Sequence, residues 1–375
     1  MEKLIVKLWA VLIIALPGMA SLIPGHPALT PLTPQEQAVK SALLGLVTRE
    51  DQAVLDGNRR QLEQVFLLPK AKSALRHAEE RQAFLDAWSR ARGLAFTAVS
   101  VSLRTPHITF SGPGRVRVFA VVSERYQYRY HDSRALDGFG LGIRHDYLLE
   151  ESQGRWRIVG DDFTDPLDQN TRVSGTANPE SQLVPSPGAV PSLPLAPGAA
   201  KAVAYADRYC GAAPGCQNQG FYNPAYNNFN GDGGDCTNFV SQALRAGGFR
   251  ETSEWNYDRS RAEGSRAWTN ARGLFDFLEG SGRATILAHG RFSAVARPNA
   301  RYPRSAAGEL RPGDIVSYIE RGRAVHSAIV VGYDSHGVPV VDSHTSDRYH
   351  VPWDLGWDYR TYYYFWRVHY PTPKP

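Results

Sequence analysis

Residues 166–197 constrain the fold most, because seven prolines are scattered there among Ser, Gly, Ala, Asn and Gln. Proline fixes φ and has no N–H to donate, so neither a helix interior nor a central strand can run through such a stretch. A segment of this composition buries little and reads as an extended linker. It divides the 375-residue chain into two units, residues 31–165 and 198–370, which are expected to be semi-independent. With 42% hydrophobic and 21% charged residues, the whole reads as globular, with length for two domains. The net charge of +5 comes without a basic block interleaved with aromatics, so no nucleic-acid partner is expected.

Residues 1–20 have the pattern of a secretory leader. Lys3 and Lys7 precede the apolar run Leu8 to Leu16, and Pro17-Gly18-Met19-Ala20 supplies small residues ahead of Ser21. The apolar run is short for a membrane span, although a retained N-terminal anchor is the competing reading. The expectation is a secreted or extracytoplasmic protein, with no stable membrane span once the leader is cleaved.

The first unit opens with helical periodicity. Val39, Ala42, Leu43 and Leu46 share one face, and two more helices are expected over 51–67 and 70–92. The period then changes to two. Val116, Val118, Ala120 and Val122 alternate with Arg115, Arg117, Phe119 and Val121, and Tyr126, Tyr128 and Tyr130 continue the even face. Residues 145–151 and 156–159 flank Gln153-Gly154 as a hairpin. Helices followed by a meander of long strands predict an α+β domain. That architecture resembles the cone-shaped, cystatin-like SnoaL fold. Asp161, Asp162 and the pair His131-Asp132 read as solvated turns and strand ends, so no chemistry is assigned to this unit.

The second unit is organised around Asp232-Gly233-Gly234-Asp235-Cys236-Thr237-Asn238-Phe239-Val240-Ser241-Gln242. Phe239, Val240, Ala243 and Leu244 recur at helical steps and Gly247-Gly248 closes the run, which puts Cys236 in the first turn of a helix. The unpaired N–H groups and the dipole there favour a thiolate. The alternative is a small buried hydrophobe. Cys210 and Cys216 bracket a loop of turn-forming residues and read as a local disulfide, with a zinc site as the weaker option. Cys236 is then the odd thiol. No metal and no cofactor are expected. Asp235 reads first as a helix cap, and Asn238 as a candidate support for the site. Trp255, Trp268, Trp353 and Trp357 fit a core better than a sugar platform, and His289, His336 and His350 read as solvated.

Strands follow the helices. Leu310 to Asp314 turns into residues 315–318, His326 starts a strand over 327–333, and Asp334-Ser335-His336-Gly337 turns the chain back into 338–344. A cysteine nucleophile needs an imidazole within hydrogen-bond reach and a third group to hold the ring. A three-residue loop at 335–337 places Asp342, His344 and Ser346 on the face of His326, whereas a two-residue loop places Ser343, Thr345 and Asp347 there.

The segments Gly234 to Gln242, Pro312-Gly313-Asp314-Ile315-Val316, His326 to Tyr333 and Ser343 to Arg348 resemble the amidase domain family of bacterial exported proteins. That family is similar to the larger NlpC-type and CHAP papain-like amidases and peptidases. The resemblance covers 198–370 and implies a papain-like fold, with Cys236 as nucleophile, His326 as base and His344 as the residue that orients it. Asp347 stands in reserve for the orienting role. It further implies a peptide amide, with cell-wall peptidoglycan as the natural substrate class. A non-catalytic wall-binding module and an acyltransferase using the same residues are the alternatives.

Overall fold

The computed structural model describes residues 31–167, 194–218 and 220–372. The expected leader and most of the proline-rich stretch lie outside them. Within these bounds the chain is a mixed α/β structure built on a large antiparallel sheet, in keeping with the expected α+β class.

Helix α1 (Pro34–Asp56) begins with a reciprocal cap. The Thr33 hydroxyl accepts the Glu36 N–H at 3.3 Å, and the Glu36 carboxylate accepts the Thr33 N–H at 2.8 Å. The helix expected over 51–67 is two pieces, because Gly57 adopts φ 67° and Asn58 caps a new helix, α2 (Arg59–Val65). Helix α3 (Lys72–Arg92) follows. Four strands, β1 (Leu94–Gly112), β2 (Arg115–Tyr130), β3 (Asp137–Ser152) and β4 (Arg155–Phe163), form a meander. On β2 the valine–alanine–tyrosine face is buried, as its alternation requires. Asp161 departs from its expected solvated place. It is buried against His145, whose Nδ1 lies 3.0 Å from its carboxylate.

The second half starts with α4 (Pro197–Tyr209) and α5 (Cys236–Ala246). A two-strand ladder of β5 (Tyr257–Asp258) and β6 (Glu263–Gly264) leads to α6 (Arg266–Thr269) and α7 (Ala271–Gly280). Next come β7 (Ala284–Arg291), α8 (Phe292–Ala296), β8 (Ile315–Glu320), β9 (Arg323–Tyr333), β10 (Pro339–Ser343), β11 (Asp347–Pro352) and β12 (Tyr362–Val368). Trp255, Trp268 and Trp353 are core residues.

The halves are not independent. Strand order runs β1-β2-β3-β11-β10-β9-β8-β12-β7, so one sheet crosses from the first half to the second. β3 gives its last residues to β4 and pairs Gly140, Leu141 and Gly142 with Tyr349, Arg348 and Asp347 of β11. Gly140 and Gly142 share one face, and their missing side chains admit the loop closed by the Cys210–Cys216 disulfide. A Cβ on Gly142 would lie 2.8 Å from Ala212, and one on Gly140 would run into the Pro214 backbone. Polar ties reinforce the joint. Arg92 Nε and Trp88 Nε1 both donate to Asp354, at 2.9 and 3.0 Å, and the Tyr128 and Tyr130 hydroxyls donate to Asp334. A linker leaves two halves separable only if no strand edge is shared, and here one is.

Candidate functional site

Gly233 and Gly234 adopt φ 102° and 119°, a left-handed pair that brings the chain tightly into α5. A Cβ on Gly234 would lie 2.8 Å from the Thr345 hydroxyl, so only glycine lets the β10–β11 turn come this close. Thr345 Oγ1 accepts the backbone N–H of Asp235 at 2.9 Å and of Cys236 at 3.2 Å. It therefore caps the helix in place of Asp235, whose side chain makes no such bond. Thr345 holds this position at φ 83°, a conformation that costs a β-branched residue about 1–2 kcal/mol.

Cys236 is a free thiol, buried at the first helical residue. Burial is the largest influence on it and pushes the thiol above its ordinary range. The Ser327 backbone N–H and the Thr237 hydroxyl, 3.7 Å from the sulfur, offset this only in part, and the Asp235 carboxylate adds to it. The more acidic thiol expected of a helix N-terminus is not what this arrangement produces, because desolvation outweighs the hydrogen bonds to the sulfur.

His326 stands one residue before Ser327, yet its ring does not meet the sulfur. In the β8–β9 ladder Tyr318 pairs with His326 and Ile315 with Ile329. The imidazole thus shares the face of Tyr318, with ring centroids 5.5 Å apart, and packs near Trp357 at 5.6 Å. Helix α5 covers the opposite face, where Phe239 and Ala243 pack on Ile329 and Val331. The His326 Nε2 is buried without a hydrogen-bond partner. Desolvation, followed by the Arg348 charge, lowers this histidine to about 3, which makes it a neutral ring at physiological pH.

The β9–β10 loop is the three-residue one, since Asp334 N–H donates to Val338 O at 2.9 Å. By simple alternation His344 would then share the face of His326. A one-residue bulge changes that outcome. Val340 pairs with Gly332 but Val341 pairs with Val330, so Val331 is extra on β9. Asp342 accordingly lies opposite Ile329, and Asp342 and His344 project toward α4 and α5.

His344 is fully buried and fully engaged. Its Nδ1 lies 2.6 Å from Asp235 Oδ2, and its Nε2 donates to Tyr209 O at 2.6 Å. Tyr222 stacks on it at 3.6 Å and Phe239 at 4.1 Å. With both nitrogens bonded it has no lone pair for the thiol, and it orients Asp235 rather than His326. Asp235 Oδ1 also accepts from Phe229 N–H and Asn238 Nδ2, each at 2.9 Å. Asn238 Oδ1 in turn accepts from Trp268 Nε1 at 2.8 Å, so Asn238 supports the loop that leads into the helix.

Asp347, the reserve orienting residue, belongs to the joint between the halves. It accepts the Ala212 N–H at 2.8 Å and the Tyr222 hydroxyl, and it pairs with Arg144 of β3 at 3.3 Å. Ser327 and Tyr222 were not foreseen as part of the site, and Thr345 entered only as one of the residues that a two-residue loop would place beside His326. The adjacency of Ser327 to His326 was a sequence signal that pointed to it.

Residues 198–366 match the family model described as "Putative amidase domain". The uncharacterized protein YhbB of Bacillus subtilis (strain 168) is 31% identical over 140 residues, which cover 33% of this chain and 37% of YhbB. The chain thus spans little more than a third of that relative. The intermembrane space region of the chloroplast protein ARC6 aligns at 19% identity over 33% of this chain and 95% of its own. Its TM-score of 0.24 is too low to define a shared fold. The C-terminal half therefore carries an amidase-like domain, which suggests a hydrolase.

Proposed function

We propose that this domain hydrolyses an amide bond with Cys236 as the nucleophile, His326 as the base and water as the acceptor. One observation carries the reading: beside the thiol, two consecutive backbone N–H groups already grip a single oxygen, the Thr345 hydroxyl. In the reaction that oxygen is replaced by the substrate carbonyl. The reaction requires the His326 Nε2, which has no partner at rest, to come within reach of the sulfur and accept its proton. The sulfur forms a bond to the carbonyl carbon, and the oxyanion takes the Asp235 and Cys236 N–H donors. Imidazolium protonates the departing amine, and water then releases the acyl group and restores the thiol. His344 acts indirectly, by fixing Asp235 and hence the donor pair.

The substrate class is a peptide amide, with cell-wall peptidoglycan as the first choice for a protein led by a secretory pattern. The second reading is a papain-like module that binds such fragments without cutting them. The separation of ring and thiol favours it, as does a thiol and an imidazole both neutral at pH 7.

Mass analysis of digests of purified wall and of simple peptides separates the two. The enzyme reading requires cleavage by the parent chain and its loss in folded Cys236→Ala and His326→Gln variants. Full activity of Cys236→Ala ends it. An inactive parent whose Cys236 labels slowly with iodoacetamide at neutral pH points to the binding module.

A further inference from the structure

Three titratable side chains outside the thiol site meet at the end of α4. Asp207 comes from the last turn of that helix, Asp342 from β10 and His350 from β11, and one donor atom of each lies within 4.8 Å of the others. Asp342 has 0% exposure. Its Oδ1 accepts the His350 backbone N–H at 2.8 Å, while its Oδ2 is buried without an N–H or hydroxyl donor and the Asp207 carboxylate lies beside the group. An orphaned carboxylate oxygen in a dry site is costly unless a cation or a donor meets it. The one imidazole nearby is already committed, since His350 Nε2 lies 2.9 Å from Asp207 Oδ1. Tyr349 stacks on that ring at 4.0 Å and fixes its plane.

We propose that Asp207, Asp342 and His350 form a site for one divalent transition-metal cation. Two carboxylates and one imidazole are the donor set of a borderline ion such as Zn²⁺ or Mn²⁺, with water completing the shell. Calcium fits poorly, because it prefers six to eight oxygen donors. Donors bound to zinc at ~2.0–2.2 Å stand about 3.5 Å apart, so side-chain rotation opens the 2.9 Å His350–Asp207 pair slightly and closes wider separations, which reach at most 4.8 Å, by roughly 1 Å. The Asp207 and His350 side chains are 22% and 32% exposed, so an ion reaches the buried carboxylate from solvent. Once bound, it pins α4 to β10 and β11. Cys210, which opens the loop docked on β3, lies three residues beyond Asp207.

The test uses the full chain, stripped with a chelator and titrated with Zn²⁺ and Mn²⁺ by calorimetry. One ion per chain is expected, with affinity falling about a hundredfold or more in the near-isosteric Asp342→Asn variant. His350→Gln, at a partly exposed position, gives the same loss and keeps the test open if Asp342→Asn misfolds. Co²⁺ is expected to give visible d–d bands without a thiolate charge-transfer band. Absence of stoichiometric binding, undiminished affinity in both variants, or a thiolate band that places the ion on Cys236 overturns the proposal.

Discussion

Replacing Arg144 with methionine tests whether the two halves stand or fall together. The Arg144 guanidinium reaches Asp347 at 3.3 and 3.4 Å, Tyr222 Oη at 3.0 Å and Thr345 O at 3.4 Å. Burial is the largest influence and alone would lower its pKa, but Asp347 and Tyr222 together more than offset it and raise it. Removing one partner of a buried ion pair costs about 3–5 kcal/mol, because the other charge is left uncompensated. Arg144 is 25% exposed, and Asp347, at 0%, keeps the Ala212 N–H and the Tyr222 hydroxyl. The expected cost therefore falls to ~2–3 kcal/mol. An unfolding entropy of about 2.1 cal/mol/K per residue, over a unit of this size, converts that to a melting point lower by ~3–4 °C. Asp347→Asn in the Arg144→Met background should then cost little more, giving a coupling of about 2 kcal/mol in the double-mutant cycle. Thermal unfolding of the four proteins supplies the numbers, and amide exchange in β3 and β11 locates the loosening. Strictly additive effects, or a single variant that melts with the parent, would refute the claim that this pair joins the halves.

Gly140→Ala drives a methyl group into the Pro214 backbone, so it should destabilise by about 1–3 kcal/mol, whereas Gly154→Ala, whose Cβ meets nothing, isolates the cost of a left-handed glycine alone. Equal melting points for Gly140→Ala and the parent would show that the disulfide loop does not rest on β3. Glu50 on α1 is pushed up to about 8, first by burial and then by Asp161, with Arg81 opposing. Its unfolded value near ~4.3 is far lower, so folding favours the protonated acid, and stability is lost as pH rises from about 4.5 to 8. Glu50→Gln removes that loss, and its advantage over the parent should grow across this window to ~2–3 kcal/mol. A gap that stays constant with pH would count against the assignment.

The sequence made the strand faces and the order of the chemical motifs legible. Val116 to Tyr130 alternates cleanly because one face of β2 is buried and the other is not, and the Cys236 helix follows from apolar steps and bracketing glycines. Pairing between distant strands was not legible. A proline-rich stretch carries no information about Gly140 and Gly142 lying beside β11, because a missing side chain leaves no periodic signal. The register of the hairpin that carries His344 was beyond reach of the sequence. The bulge at Val331 has no composition signature, and it decides which face His344 takes. The thiol's surroundings were hidden for another reason: the helix dipole can be inferred from position, but the hydrogen-bond partners Thr345 and Ser327 come from more than ninety residues away in the chain.

The shared sheet bears on how the amidase-like half can be prepared. Cutting the chain in the proline-rich stretch would strip β11 of its neighbour, leaving a bare row of amides and carbonyls along Asp347 to Tyr349. An open flank of that kind invites a second copy to dock strand on strand. A shortened protein that clumps or loses activity would therefore be missing a splint, with its chemistry intact.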